Sequence, residues 1–355
     1  MIARDLVAAR EHSARVTAGF EGEKLLGPKL AIVNPPLWEI GHLGWFQEYW
    51  CLRWRGDGGF ADSILPGVDA LYDSSNVAHD TRWDLPLPDL RSTRAYLANV
   101  LERVLGRIER EPENAALRYF VRLATLHEDM HSEALHYTCQ THGYEAPIAA
   151  GETAGAGGRD LEFQGGKFLL GAHPGQKSFV FDNEKWAHEV ELAPFRIASA
   201  PVTNAQFLAY VEQGGSAPRY WKRVDGVWME RRFSRWVPLK GDAAVRHVDW
   251  HEAQAWCAWA KRRLPSEAEW ELAASSRDFT WGAVWEWTAS TFAPFPGFSA
   301  DPYADYSQPW FGTHKVLKGA SFATPRRLAR PAFRNFYLPE RGDVFAGFRT
   351  CRIVP

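Results

Sequence analysis

Between Glu113 and His142 the chain contains neither glycine nor proline, and apolar or small residues recur at Phe120, Ala124, Leu135 and Thr138. That spacing predicts one long amphipathic helix. Upstream, Leu6, Val7, Val16 and Phe20 predict a helix over residues 3–20. Pro35-Pro36 opens an aromatic-rich run that predicts a second helix at 36–54, since proline is tolerated where the first N–H groups have no intrahelical partner. Glycines at 56–59 and Pro66-Gly67 mark 55–90 as loop, and a third helix follows over 89–109. The N-terminal half therefore reads as four helices with one long insertion, an architecture that builds metal sites from facing helices.

From Ala149 to Gly158 the composition turns to glycine and alanine, a linker signature. The chain divides on this reading into a helical domain at 1–148, a linker at 149–161 and a second domain at 162–355. Beyond the linker come short β-like runs with many glycines. Helices are predicted at 203–213, with Thr203 as N-cap, and at 250–262, where Trp256 and Trp259 share a face with Ala253 and Ala260. Ser266-Glu267-Ala268-Glu269 is a capping box opening another. The second half is a loop-rich α+β domain.

Composition narrows the function classes. A net charge of −2 gives no reason to expect nucleic acid or an acidic membrane surface as partner, and no stretch is long and apolar enough to span a bilayer. No secretory signal is visible at the start. Four scattered cysteines make no C-x-x-C and no disulfide framework, so a cytoplasmic protein with reduced thiols is expected. The 17 tryptophans suggest aromatic-lined pockets or a loop-rich fold held by large side chains.

The candidate chemistry lies on the long helix. His127 and His131, four residues apart, share one face and can aim at a single metal ion. The same string, His127-Glu128-Asp129-Met130-His131, also spells the H-E-x-x-H of zinc hydrolases, with Glu128 as base. On these residues alone a chance pair, a zinc hydrolase and another metal enzyme all remain open. His42, among apolar neighbours on the second helix, is by itself a core histidine. Beside a two-histidine helix it becomes the natural third ligand.

The runs Gly165 to Gly171, Asp182-Asn183-Glu184, Pro201-Val202-Thr203-Asn204, Arg263 to Trp270, Val284 to Thr288, Lys318 to Phe322 and Ala346 to Arg349 resemble, in order, the formylglycine-generating-enzyme (sulfatase-modifying-factor) domain. That resemblance implies a C-type-lectin-like α+β fold. Gly41-His42-x-x-Trp45-Phe46, with His127-x-x-x-His131-x-Glu133, resembles the DinB-like four-helix domain. Joined in this order the two resemble the ergothioneine sulfoxide synthase family. The resemblance implies a non-haem Fe(II) held by His42, His127 and His131, with the remaining positions open for substrates and O₂. It also implies joining of a chalcogen donor to the imidazole C2 of hercynine, the betaine of histidine.

The family's hercynine-binding segment maps onto Arg334 to Arg341. Phe336 and Tyr337 would face the quaternary ammonium, with Asn335, Arg341 and Trp287 as further contacts. The zinc-peptidase reading leaves His42 and the second domain unexplained, and Glu128 is then expected beside the site or on the surface. The chain departs from the sulfoxide synthases in two places. Asn335-Phe336-Tyr337 replaces their Asn-Trp-Asp, and Phe292 and Phe295 stand where tyrosines, one a proton donor, are frequent. The cluster from Asp73 through Asp80-Thr81-Arg82-Trp83 resembles the selenoneine synthases, with Asp80, Arg82 and Asn76 able to bond the hydroxyls of a selenosugar. The expectation is carbon–selenium bond formation from a selenosugar. Carbon–sulfur bond formation from cysteine, γ-glutamylcysteine or a thiosugar is the alternative. No protein partner is expected.

Overall fold

The computed structural model describes residues 1–56, 58–148 and 158–353, and the chain divides into two units, Met1–Ala149 and Ala150–Pro355. The first unit holds helices α1 (Ile2–Val16), α2 (Pro36–Glu48), the short α3 (Val68–Tyr72), α4 (Leu90–Arg110) and α5 (Ala115–His142). Asn114 caps α5, its side chain accepting the Leu117 N–H, and Gly143 ends it at φ 72°, where a side chain would be strained. α1 packs on α5, and α2 packs on α4 and α5. The first helix stops at Val16 rather than 20. Thr17 turns its hydroxyl back to the Ser13 carbonyl and Phe20 bonds to the Thr17 carbonyl, so the chain leaves the helix there.

Every residue of α2 is buried, so this helix is the centre of the bundle and not an amphipathic surface element. Two glycines permit that. A Cβ on Gly41 would lie 2.2 Å from the Tyr72 ring, and one on Gly44 would lie 2.8 Å from Leu97 of α4. The expected helix over 36–54 persists to Arg53, but its last turn, Tyr49–Arg53, widens to a π-helix. Arg107 of α4 donates to the Cys51 carbonyl at 2.9 Å there, satisfying one of the acceptors at the helix end. The insertion after α2 is not wholly loop. It contains α3 and a 3₁₀ turn at His79–Thr81.

In the second unit one four-stranded sheet is ordered Asp160–Phe163, Phe195–Ala198, Cys351–Arg352, Arg262–Arg263. The other runs Asn335–Tyr337, Lys315–Gly319, Trp285–Thr291, Ala346–Phe348, with its last pair parallel. Of the expected linker, 149–157 lies outside the described residues, and the first strand already occupies its last two positions. Helices α6 (Asn204–Val211), α7 (Trp250–Trp259) and α8 (Glu267–Ala273) carry the expected capping residues Thr203 and Ser266, each in a capping box. α7 ends at Trp259, short of Arg262. Lys261 has φ 53° and the chain peels away so that Arg262–Arg263 can pair with Cys351–Arg352. Trp256 is buried and Trp259 is exposed, so the two do not share the buried face.

The motif blocks of this unit meet in its interior. Glu286, wholly buried in the Trp285–Thr291 strand, accepts from the Trp270 indole at 2.7 Å and from Arg349 at 2.7 Å. Glu184 pairs with Arg330, and Lys318 with Glu271 at 2.8 Å. Buried charges are tolerated only when paired and hydrogen-bonded, so these blocks specify the packing of the unit. Among the described residues no helix is long and apolar enough to cross a membrane. All four cysteines are free and buried.

Candidate metal centre

α5 presents His127 and His131 one turn apart, and α2 presents His42 from across the bundle. Their ligand-capable atoms all lie within 4.8 Å of one another. His127 Nε2 stands 3.2 Å from Nε2 of His42 and 3.2 Å from Nε2 of His131. Among the described residues this is the only group of three or more His, Cys, Asp or Glu side chains placed to share an ion.

The outer nitrogens decide what the inner ones can do. His42 Nδ1 lies 2.8 Å from the Tyr72 carbonyl oxygen, and His131 Nδ1 lies 2.8 Å from Glu39 Oε1. A carbonyl and a carboxylate only accept, so both Nδ1 atoms carry a proton, and in the neutral rings each Nε2 presents a lone pair. Both converge on His127 Nε2, where either an N–H or a shared cation would relieve the repulsion between lone pairs. Burial holds His42 and His127 well below the usual histidine range. Neutral imidazoles are the form that binds a metal. The rings are also clamped by packing: Phe46 stacks on His127 at 3.6 Å, and Trp38 stacks on His42 at 4.9 Å. The donor set fits a divalent transition metal with positions left open for other ligands.

Glu128 does not face this point as a base would. It is buried, with Oε1 accepting from Arg10 at 2.7 Å and from Ser13 at 2.5 Å, and Oε2 accepting from Arg10 at 3.2 Å. It ties α1 to α5, which corrects the expectation of a possible surface position and removes the zinc-hydrolase base. Glu39 was not singled out from the sequence. Its signal was there, three residues before His42 and so on the same face of α2.

The other candidate residues are more scattered. Asp80 is exposed on the 3₁₀ turn and Asn76 bonds Asp73. Arg82 is buried, with its guanidinium 3.9 Å over Trp38. Its terminal nitrogens are already committed to Asn34 Oδ1 and to the Ser74 and Val77 carbonyls, leaving Nε without a partner. Burial lowers its pKa to about 10.

In the second unit Asn335–Tyr337 is an edge strand. Phe336 stacks on Phe292 at 4.1 Å, and Asn335 Oδ1 accepts the Phe336 N–H. Arg341 lies 5.2 Å over the Tyr337 ring while pairing with Asp343. Trp287 departs from expectation. It is wholly buried and donates its indole N–H to the Val248 carbonyl, so it belongs to the core and lines no ligand surface.

Residues 5–136 match the DinB superfamily, and residues 153–283 and 277–354 match the sulfatase-modifying factor enzyme 1-like domain. The chain is 30% identical to the hercynine oxygenase of Mycolicibacterium smegmatis, across 98% of this chain and 97% of that protein. The chain belongs to the hercynine oxygenase family. A formylglycine-generating enzyme of Streptomyces coelicolor is 25% identical over 53% of the chain and 87% of its own length. The ergothioneine biosynthesis protein 1 of Schizosaccharomyces pombe is 26% identical over 45% of the chain and 26% of its own length. A helical DinB domain followed by a C-type-lectin-like, sulfatase-modifying-factor domain is thus the architecture of this family member.

Proposed function

We propose that the chain is an Fe(II)- and O₂-dependent enzyme that joins the imidazole C2 of hercynine to the selenium of a selenosugar. The observation that supports the metal-dependent part is the convergence of the Nε2 atoms of His42, His127 and His131, with Nδ1 of His42 and His131 bonded outward. Family membership across the whole length supports hercynine as substrate. Joining C2 to the chalcogen breaks the C2–H and chalcogen–H bonds and releases two electrons and two protons, which O₂ takes to leave as H₂O₂; where one oxygen atom stays on the chalcogen as an oxide, the four-electron reaction releases one water instead. A ferrous ion on His42, His127 and His131 would supply O₂ activation and a positive charge that lowers the pKa of a chalcogen–H bond.

The chain's own residues do the rest. Asn335, Phe336 and Tyr337 are proposed to receive hercynine. A quaternary ammonium donates no hydrogen bond and is held by aromatic faces, and the Tyr337 ring already has a guanidinium over it. Asp80 and Arg82 are proposed to lie against the donor, Asp80 with an exposed carboxylate for hydroxyls and Arg82 with its open Nε–H. Trp287 takes no part. The absence of an acidic residue at Tyr337 favours a sugar over an amino-acid donor. The second reading, carbon–sulfur bond formation in the manner of the ergothioneine-type enzymes, is favoured by the name of the partly matching ergothioneine biosynthesis protein 1 and by the buried Arg82 charge, which suits a carboxylate.

The deciding experiment is anaerobic loading with Fe(II), then admission of O₂ with hercynine and one donor at a time: selenosugar, thiosugar, cysteine or γ-glutamylcysteine. Turnover is expected with the selenosugar above the others. Preference for cysteine or γ-glutamylcysteine would replace the first reading by the second.

A further inference from the structure

We infer that Glu39 is a positioning residue of the metal centre, acting through His131. The inference rests on the three-histidine reading above but concerns a residue outside the ligand set. Glu39 lies on α2, three residues before His42, so one helix face supplies a ligand at His42 and a carboxylate at Glu39. That carboxylate is 1% exposed and accepts from His131 Nδ1 at 2.8 Å, joining positions far apart in sequence.

The geometry separates positioning from direct ligation. Glu39 stands at Nδ1 of His131, whereas the convergent point is at Nε2, on the other side of the imidazole. No Glu39 oxygen belongs to the cluster whose ligand atoms share 4.8 Å. Its effect on an ion is therefore carried by the ring. It fixes the tautomer that leaves the Nε2 lone pair inward, it fixes the ring's rotation, and its negative charge makes the imidazole a stronger donor.

The two outer partners are not equivalent. His42 is held by the neutral carbonyl of Tyr72 and His131 by a full charge. His131 is also the ligand with the greater exposure, its side chain 19% accessible against 2% for the His42 residue. Packing alone therefore holds His131 less firmly than the stacked and buried His42. The charged bond supplies the constraint that packing does not.

The test is an anaerobic Co(II) titration of the full-length chain, read by the visible absorption of the bound ion, with apo-protein melting followed in parallel. Glu39→Ala is expected to weaken Co(II) binding about 10- to 100-fold. Glu39→Gln keeps an acceptor oxygen without the charge, and should recover part of that loss. In a His131→Ala background, Glu39→Ala should produce no further loss. Parental affinity in Glu39→Ala, or a full additional loss in the His131→Ala background, would overturn the inference. If Glu39→Ala fails to fold, Glu39→Gln at parental affinity overturns the charge-dependent role in the same way. Failure of the parental chain itself to bind Co(II) would instead sink the three-histidine reading. A chain whose Co(II) affinity depends on Glu39 but which does not act on hercynine would sink only the proposed reaction.

Discussion

At the scale of single residues, neighbours in sequence carry different burdens. His127 and Glu128 are adjacent on α5, yet one belongs to the metal point and the other to a buried ion pair with Arg10 on α1. Removing one partner of such a pair leaves an uncompensated charge, and Arg10 is nearly as enclosed as Glu128. Glu128→Ala is therefore expected to lower the unfolding free energy by about 3 kcal/mol, moderated by the bonds Arg10 keeps to Leu97 and Gln47. The folded fraction should still bind Co(II) within about twofold of the parental affinity, since no Glu128 atom is part of the cluster. Denaturant unfolding and the metal titration check the two halves separately. A hydrolase base would behave differently, with stability untouched and chemistry lost.

At the scale of elements, α2 is held where it is by what it lacks. Gly41 admits the Tyr72 ring, and the Tyr72 backbone then offers its carbonyl to His42. Gly41→Ala places a methyl 2.2 Å from that ring and must push α3 away. The expected cost is about 1–3 kcal/mol of stability together with weakened Co(II) binding. Gly44→Ala meets Leu97 at 2.8 Å and the Tyr96 ring at 2.9 Å, both on α4 and neither a partner of His42, so it should cost stability with metal affinity retained. Equal effects on affinity in the two variants would argue that α3 has no special hold on His42.

The histidine spacing on α5 was legible because period 3.6 is written directly in the sequence, and so were Thr203, Ser266 and their capping boxes. The burial of α2 was not legible, because a helix apolar on all sides has no face to read. Nor was the core position of Trp287, since a tryptophan reads alike whether it meets a ligand or a backbone carbonyl. Glu39 escaped notice because its partner lies on another helix. The end of α7 was misplaced by a strand pairing between distant residues, which local pattern does not contain.

At the scale of the whole molecule, buried histidines in both units set the response to acid. Burial lowers His136 to about 4 in the first unit and holds His247 well below its usual range in the second. An unfolded histidine takes up its proton near pH 6.5. Below that pH the unfolded chain binds more protons than the folded one, so stability falls as pH falls, and the loss for His136 is complete only near pH 4. The window spans about 2.5 pH units, or about 3 kcal/mol from His136 alone. Above pH 6.5 these groups contribute no slope.

Glu252, at the start of α7, acts with the opposite sign. Burial raises it to about 7, so its contribution is present below the ordinary carboxylate range and is lost as pH rises toward neutrality. Between about pH 4.5 and 6.5 it offsets His247 in the second unit, while in the metal-free first unit His42 and His127 add to His136. The first unit of the apo-protein should therefore lose protection first on acidification from pH 7 to 4.5. Hydrogen exchange resolved by segment would show amides of α5 opening before those of the Trp285–Thr291 strand. His136→Gln should flatten the acid limb of the first unit and leave that of the second unchanged. The reverse order of opening would mean that titrating groups other than these histidines govern the acid response.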